Sequence, residues 1–463
     1  MFTIQAKLKP SLFEAITLIA IIVAIICTSI IQFETPPHIP ILGSLVLLVG
    51  FGLLKKVTFR DLESAMLDGA KSGLGAIYIF FLIGILISSW IVSGTIPTIL
   101  FGGLAIVTAS FFFTIVFVIT AIIGTAIGSS LTTVATVGIA FMAIAQTVDA
   151  SLAITAGAIV SGAFFGDKMS PLSDTTTLAA SVAGIDLFDH IKNMCWTTIP
   201  AFIISAIIYS LLSPSIITID TATVTAYQDI LVKLNLVHWY SLLPLVVLII
   251  CTLFKMPTLL TLTLSAVVAL ALTPFHMTLG LADYMNILYS GFVSTSGHEV
   301  IDSLLTRGGM SSMYFTVALV ILSLSLGGLL FVLGIIERLL QAVESLLQSV
   351  GAAITGAAIT AISINTLIGE QYLSILLTGE TFKTKFAQLN LHPKNLARVT
   401  EDAGTVINPL VPWSVCGLFI SSMLDVEVLQ YLPFAFFCLL SPILTIAFGW
   451  LGWTMTKLGQ VKN

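Results

Sequence analysis

The chain has 463 residues, 57% of them hydrophobic and 9% charged, with a formal net charge of -5. Soluble domains carry about 25% charged residues, so this composition excludes a soluble globular protein and points to one that crosses a membrane many times. The small, dispersed charge argues for no nucleic-acid partner, and Cys27, Cys195, Cys251, Cys416 and Cys438 stand singly in apolar segments, without metal or disulfide spacing.

Apolar runs of about 20 residues recur along the chain and predict an all-α polytopic membrane protein with about 10–14 passes. Lys7 and Lys9 precede the first run, 12–31, and place the N-terminus inside. That run is too long for the core of a cleaved leader and is read as a retained span. Residues 39–54 return to a basic stretch with Lys55, Lys56, Arg60 and Lys71, read as an inside loop. Residues 77–92 cross out, and 98–123 are read as one span back in. It ends at a small-residue stretch, 124–130, which is a candidate break. The runs 131–148 and 152–165 follow. A polar stretch, 166–177, comes next, then an inside loop (186–192), an exit along 194–212 and an outside loop (213–237).

The second half opens on an interfacial anchor, His238-Trp239-Tyr240. Residues 241–254 reach Lys255 inside, and 257–273 return outward. The mixed stretch 275–312 is expected to hold an amphipathic surface helix. Residues 313–336 cross in to Glu337 and Arg338, 346–364 cross out, and 366–377 cross in to a second basic loop with Lys383, Lys385, Lys394 and Arg398. Residues 401–413 re-enter the membrane, 415–424 complete the pass, and 429–453 form the last span, with Lys457 and Lys462 inside.

The halves match at an offset of about 240 residues: 68–72 with 308–312, 93–96 with 333–336, 125–128 with 366–369, and 170–173 with 408–411. The expectation is two inverted structural repeats, 1–237 and 238–463, with discontinuous helices and a possible re-entrant hairpin in each.

The polar stretch reads Gly166-Asp167-Lys168-Met169-Ser170-Pro171-Leu172-Ser173-Asp174-Thr175-Thr176-Thr177. Ionisable groups at membrane depth are costly and usually line an ion or substrate path. Pro171 removes a backbone donor and breaks a helix, and such a break is tolerated only against protein or a wet cavity. The matching stretch brings Glu401, Asp402, Thr405, Asn408 and Ser414. The glycine breaks add Thr125, Ser129, Ser130, Thr132 and Thr133 from one half, and Asn365, Thr366 and Glu370 from the other. These are hard oxygen ligands, suited to a dehydrated hard cation rather than a transition metal. Burial also raises a carboxylate's proton affinity, so one group can hold either a proton or a sodium ion. Asp174 and Asp402 are the first choices for that shared site, including the tentative Na+ ligation, with Asp167 third. Ser170, Ser173, Thr175, Thr176 and Asn408 complete the shell, with Thr405 and Glu370 beside them. Two other roles stay open. Lys168 could neutralise Asp167 as a structural pair, and Asp167 and Asp174 could cap the following helices. His190, beside Asp189 at the expected membrane edge, could act as a pH sensor.

Enzyme chemistry finds little support. His298-Glu299 begins a zinc-protease pattern, but position 302 is Asp. There is no phosphate-binding loop for ATP and no nucleophile elbow. No cofactor is expected.

The stretch Gly166 to Thr176 resembles the signature of the NhaC family of sodium/proton antiporters, and Glu401-Asp402-Ala403-Gly404-Thr405-Val406-Ile407-Asn408-Pro409-Leu410-Val411-Pro412-Trp413 resembles that family's second stretch. The resemblance implies membership of the wider ion-transporter superfamily, and sodium/proton exchange at a bacterial inner membrane; the lysines near each end separately place both termini on the cytoplasmic side. Similar proteins exchange organic acids such as malate for lactate, and some carry amino acids. The alternative expectation is therefore an exchanger of organic anions or amino acids coupled to Na+ and H+. Lys168 is the only cation in either motif, which favours simple cation exchange. The expected partners are Na+, H+ and membrane lipid, and a homodimer is compatible with the class.

Overall fold

A chain in lipid has no water to satisfy its backbone, so an apolar segment closes its hydrogen bonds on itself as a helix. The computed structural model describes residues 5–459 apart from 34, 107–110, 214–220, 255, 299–300, 303–304 and 345–346. The expectations placed on Lys255, Glu299 and Lys462 lie outside the described residues. The first part runs α1 (Leu12–Ile31), α2 (His38–Leu54), α3 (Phe59–Ser72), α4 (Leu74–Val92), α5 (Thr95–Ile106), α6 (Phe112–Ile127), α7 (Ser130–Thr147), α8 (Leu152–Met169), α9 (Asp174–Ala183), α10 (Leu187–Leu212) and α11 (Thr221–Lys233). The second runs α12 (Leu243–Leu253), α13 (Thr258–Leu272), α14 (Leu281–Ser290), α15 (Tyr314–Val332), α16 (Ile335–Glu344), α17 (Val350–Ile368), α18 (Gln371–Gln388), α19 (Pro393–Thr400), α20 (Val415–Leu424) and α21 (Phe436–Leu451). No strand occurs among the described residues. Among them, 7 helices are long and apolar enough to cross a membrane, or up to 9 if each of two bent pairs is one span.

Several elements differ from expectation. The basic stretch around Arg60 is a helix, not a loop. Thr58 starts α3 by accepting from the Asp61 amide at 3.2 Å, and Leu62, Ala65 and Gly69 are buried along one face while Arg60, Glu63 and Lys71 are exposed. That is the ordinary division of an amphipathic helix. The single span expected over 98–123 is two helices, because the chain turns at Phe111 with φ 68°. The expected outside loop 213–237 contains α11. The surface helix expected within 275–312 is α14, which buries none of its residues. The second basic loop is also largely helical: α18 runs through Lys383 and Lys385, and Arg398 is fully buried in α19, donating to the Thr454 hydroxyl at 3.0 Å.

α10 shows what solvent the fold is built for. Trp196, Ile199, Ile203, Ile207 and Leu211 are exposed at three- and four-residue spacing, while His190, Asn193, Thr197, Thr198 and Ser205 are buried on the other side. An apolar outer stripe over a polar inner one is the pattern of a helix facing lipid. His190, expected near the membrane edge, is fully buried, and neither ring nitrogen has a hydrogen-bond partner among the described residues.

Between helices in lipid, apolar contact brings no hydrophobic gain, so close packing at small residues holds them together. α3 and α15 meet at Gly69 and Gly328. A Cβ on Gly328 would stand 2.1 Å from the Ala65 carbonyl oxygen. Gly328→Val is therefore expected to destabilise by about 1–3 kcal/mol, read as a lower unfolding temperature in detergent. Gly50→Val, built into open space, should leave that temperature unchanged.

Candidate functional site

Two helices break where proline stands, and the local side chains repair each break. α8 ends at Met169, and Ser170 is extended. The Ser170 hydroxyl accepts from the Leu172 amide at 3.2 Å, and Ser173 caps α9 by accepting from the Thr176 amide at 3.4 Å. Thr176 donates to the carbonyl of Lys168 at 3.1 Å, and the Ser173 and Thr175 hydroxyls lie 3.0 Å apart. Ser170, Ser173, Thr175 and Thr176 are all buried.

In the second break, α19 passes into a wide π-type turn, Glu401–Thr405, and a short turn, Asn408–Leu410. Ser414 caps α20, and the two arms of this span bend by 47°. The Asn408 amide donates to Asn365 at 2.8 Å, while its oxygen accepts from the Cys416 amide at 3.0 Å. Asn408 thus ties α17 to the start of α20. Thr405 is buried in the π-type turn.

Each proline break packs on a glycine break of its own half. Gly128 (φ 72°) and Gly369 (φ 76°) are left-handed, a conformation other residues adopt only at a cost. A Cβ on Gly128 would stand 2.7 Å from that of Leu172, and one on Gly369 3.1 Å from the Cα of Ser414. Helices then restart toward the interior. Ser129 caps α7, and Glu370 caps α18 by accepting from the Leu373 amide at 2.8 Å.

The carboxylates divide between two settings. Asp167, 4% exposed in the last turn of α8, accepts from the Ser130 hydroxyl at 2.8 Å. Asp174, in the first turn of α9, is exposed rather than buried as expected, and lines a cavity of about 570 Å³ together with Asp167, Ser130 and Thr175. Glu370 lines an adjoining cavity of about 740 Å³, and the two share Ile79, Leu131, Gln371 and Tyr372. The structure therefore brings Asp167, Asp174 and Thr175 to one cavity and Glu370 to a second that shares a wall with it.

Asp402 sits elsewhere. It is fully buried, paired through one oxygen with the Lys168 ammonium, and accepts from the Thr197 hydroxyl at 2.8 Å through the other. The Lys168 ammonium also lies 5.7 Å from the centre of the Phe437 ring. Of the roles left open, the pairing of Lys168 with Asp167 is therefore not the one observed. Successive helix residues point about 100° apart, so Asp167 faces the Gly128 break while Lys168 faces the second half. Asp402, Thr405 and Asn408 line neither cavity.

Sequence reasoning missed Gln371 and Tyr372 at the seam of the cavities, and Thr197 on Asp402. A neutral amide carries no charge signal. Its one clue was its place directly after Gly369-Glu370, where Ser130 follows Gly128-Ser129. Carboxylates, hydroxyls and an amide on the walls of these two cavities can hold a proton or a dehydrated hard cation.

A model of the Na+/H+ antiporter family matches residues 162–453. The chain is 42% identical to the Na(+)/H(+) antiporter NhaC of Alkalihalophilus pseudofirmus, over 96% of this chain and 97% of that one. It is 34% identical to the arginine/ornithine antiporter ArcD of Halobacterium salinarum, over 96% and 93% of the two chains. It is 31% identical to the malate-2H(+)/Na(+)-lactate antiporter of Bacillus subtilis, over 98% of each. With both proline breaks inside the matched segment, the chain belongs to the Na+/H+ antiporter family as an NhaC-type, multi-pass membrane protein.

Proposed function

We propose that the chain exchanges Na+ for H+ across the bacterial inner membrane by alternating access, with Asp174 and Asp167 holding either a proton or a sodium ion in turn. The reading rests on one observation: both carboxylates line one cavity, which shares a wall with the cavity lined by Glu370. The hydroxyls of Ser130 and Thr175 supply further hard oxygens there. Asp402 serves instead as the counter-charge of Lys168 and holds the two broken helices together.

The cytoplasmic side is assigned from the basic residues. Lys7 pairs with Asp61 at 3.7 Å, Lys55 with Glu14, and Lys71 with Asp68 at 2.9 Å, so the N-terminal segment and the α2–α3 turn share one face. Asp68 and Lys71 line the larger cavity, which supports reading a state open to the cytoplasm with the N-terminus on that side.

Two inverted repeats supply the moving parts. The order of helices and breaks in the first half recurs in the second. Gly69 packs on the backbone of Leu324, and, at an offset of about 240 residues, Gly309 donates its amide to Gly84 at 2.7 Å. Contacts that exchange partners in this way are what a two-fold relation produces.

The test uses the purified protein in liposomes with a trapped pH dye. Sodium chloride alone is expected to change the internal pH, and potassium chloride to change it less. Silence with sodium, broken only by malate, lactate, arginine or ornithine, would overturn the cation-exchange reading in favour of an organic substrate.

A further inference from the structure

Gln371 is the first residue of α18, directly after its cap Glu370. Its counterpart after the first glycine break, Ser130, donates to Asp167 at 2.8 Å. Gln371 has no such partner. It lines both cavities and is 6% exposed, and its Oε1 is buried without a hydrogen bond. An amide oxygen only accepts, and ionised carboxylates only accept, so Asp167, Asp174 and Glu370 cannot satisfy it in their charged forms. Glu370 already spends one oxygen on the Leu373 amide. A buried acceptor among acceptors lacks a positive partner, and the positive end of α18 supplies only backbone N–H groups that its cap occupies in part.

We propose that Gln371, at the wall common to the cavity lined by Asp167 and Asp174 and the one lined by Glu370, is a ligand of the transported sodium ion through its unpartnered Oε1. This rests on the Na+/H+ reading above. A neutral hard oxygen suits a hard cation and carries no titratable proton of its own. It therefore weights the competition at the carboxylates toward sodium.

The test compares wild type, Gln371→Met and Gln371→Glu in the liposome assay across a range of sodium chloride at each of several pH values, with folding checked by size-exclusion chromatography in detergent. Gln371→Met keeps the length and removes the oxygen. It is expected to raise the sodium half-saturation about tenfold, more than it lowers the maximal rate, while Gln371→Glu stays within about threefold of wild type. An unchanged half-saturation in Gln371→Met overturns the proposal, as does a change confined to the maximal rate or the pH profile, which would mark Oε1 as an acceptor for a protonated carboxyl. If Gln371→Met does not elute as a folded species, Gln371→Ala is read on the same scale. A wild type silent to sodium would overturn the antiport reading itself, whereas an active wild type with an unaltered Gln371→Met overturns only the ligand role.

Discussion

Asp402→Asn is expected to destabilise the protein by about 3–5 kcal/mol, the usual consequence of removing one partner from a buried ion pair. Neither Lys168 nor Asp402 has any exposed side-chain surface. The substitution leaves the Lys168 ammonium facing a neutral amide and the ring of Phe437, with no water to replace the lost charge. It also perturbs Thr197 of α10, which donates to the second carboxylate oxygen at 2.8 Å. α8, α10 and the second break meet at this pair, so the damage should spread to all three. Lys168→Met with Asp402→Leu removes both charges together and is expected to cost much less than either single change. The measurement is the unfolding temperature of the two single variants and the double in detergent. Equal temperatures for wild type and Asp402→Asn would sink the structural role and return Asp402 to the ion site.

What the sequence revealed, and what it hid, follows from how local each signal is. The breaks were legible because Pro171, Pro409, Gly128 and Gly369 act through their own backbone. Of the hydroxyls expected in the ion shell, Thr175 lines the cavity, whereas Ser170, Ser173 and Thr176 line neither cavity and serve donors and acceptors only a few residues away. The partner of Lys168 stayed open because it lies 234 positions along the chain, and its choice between Asp167 and Asp402 depends on helix phase and on the packing of α8. α3 was taken for a loop because Lys55, Lys56, Arg60 and Lys71 weigh heavily in composition, whereas its buried face is only Leu62, Ala65 and Gly69. The division of 98–123 into α5 and α6 left no trace, because a turn inside a continuous apolar run changes neither hydropathy nor charge. The shared seam at Gln371 and Tyr372 exists only once α18 is set against α7 and α4.

Asp174→Asn is expected to lower sodium-driven proton exchange by at least about 100-fold, equivalent to about 2.7 kcal/mol, while leaving expression and unfolding temperature near wild type. Asp174 lines the cavity from the first turn of α9, and Ser173 caps that helix independently. The asparagine keeps the shape of the side chain, so the fold loses little. Transport loses more. An exchanger of this kind needs one group that binds a proton in one half-cycle and sodium in the other, and an amide takes no proton in this range and gives sodium only a neutral oxygen. Asp174→Glu, which retains the carboxylate at a longer reach, should recover part of the rate. Asp167→Asn provides the second arm. Its oxygen can still accept from Ser130, so a loss of exchange there would come from the missing charge rather than from a broken contact. Both variants are read in liposomes as the pH change that follows a sodium pulse. Full exchange by Asp174→Asn would remove Asp174 from the cycle. Full exchange by Asp167→Asn alone would leave Asp174 as the single shared carboxylate and make the Asp167–Ser130 bond a brace for the two breaks of the first half.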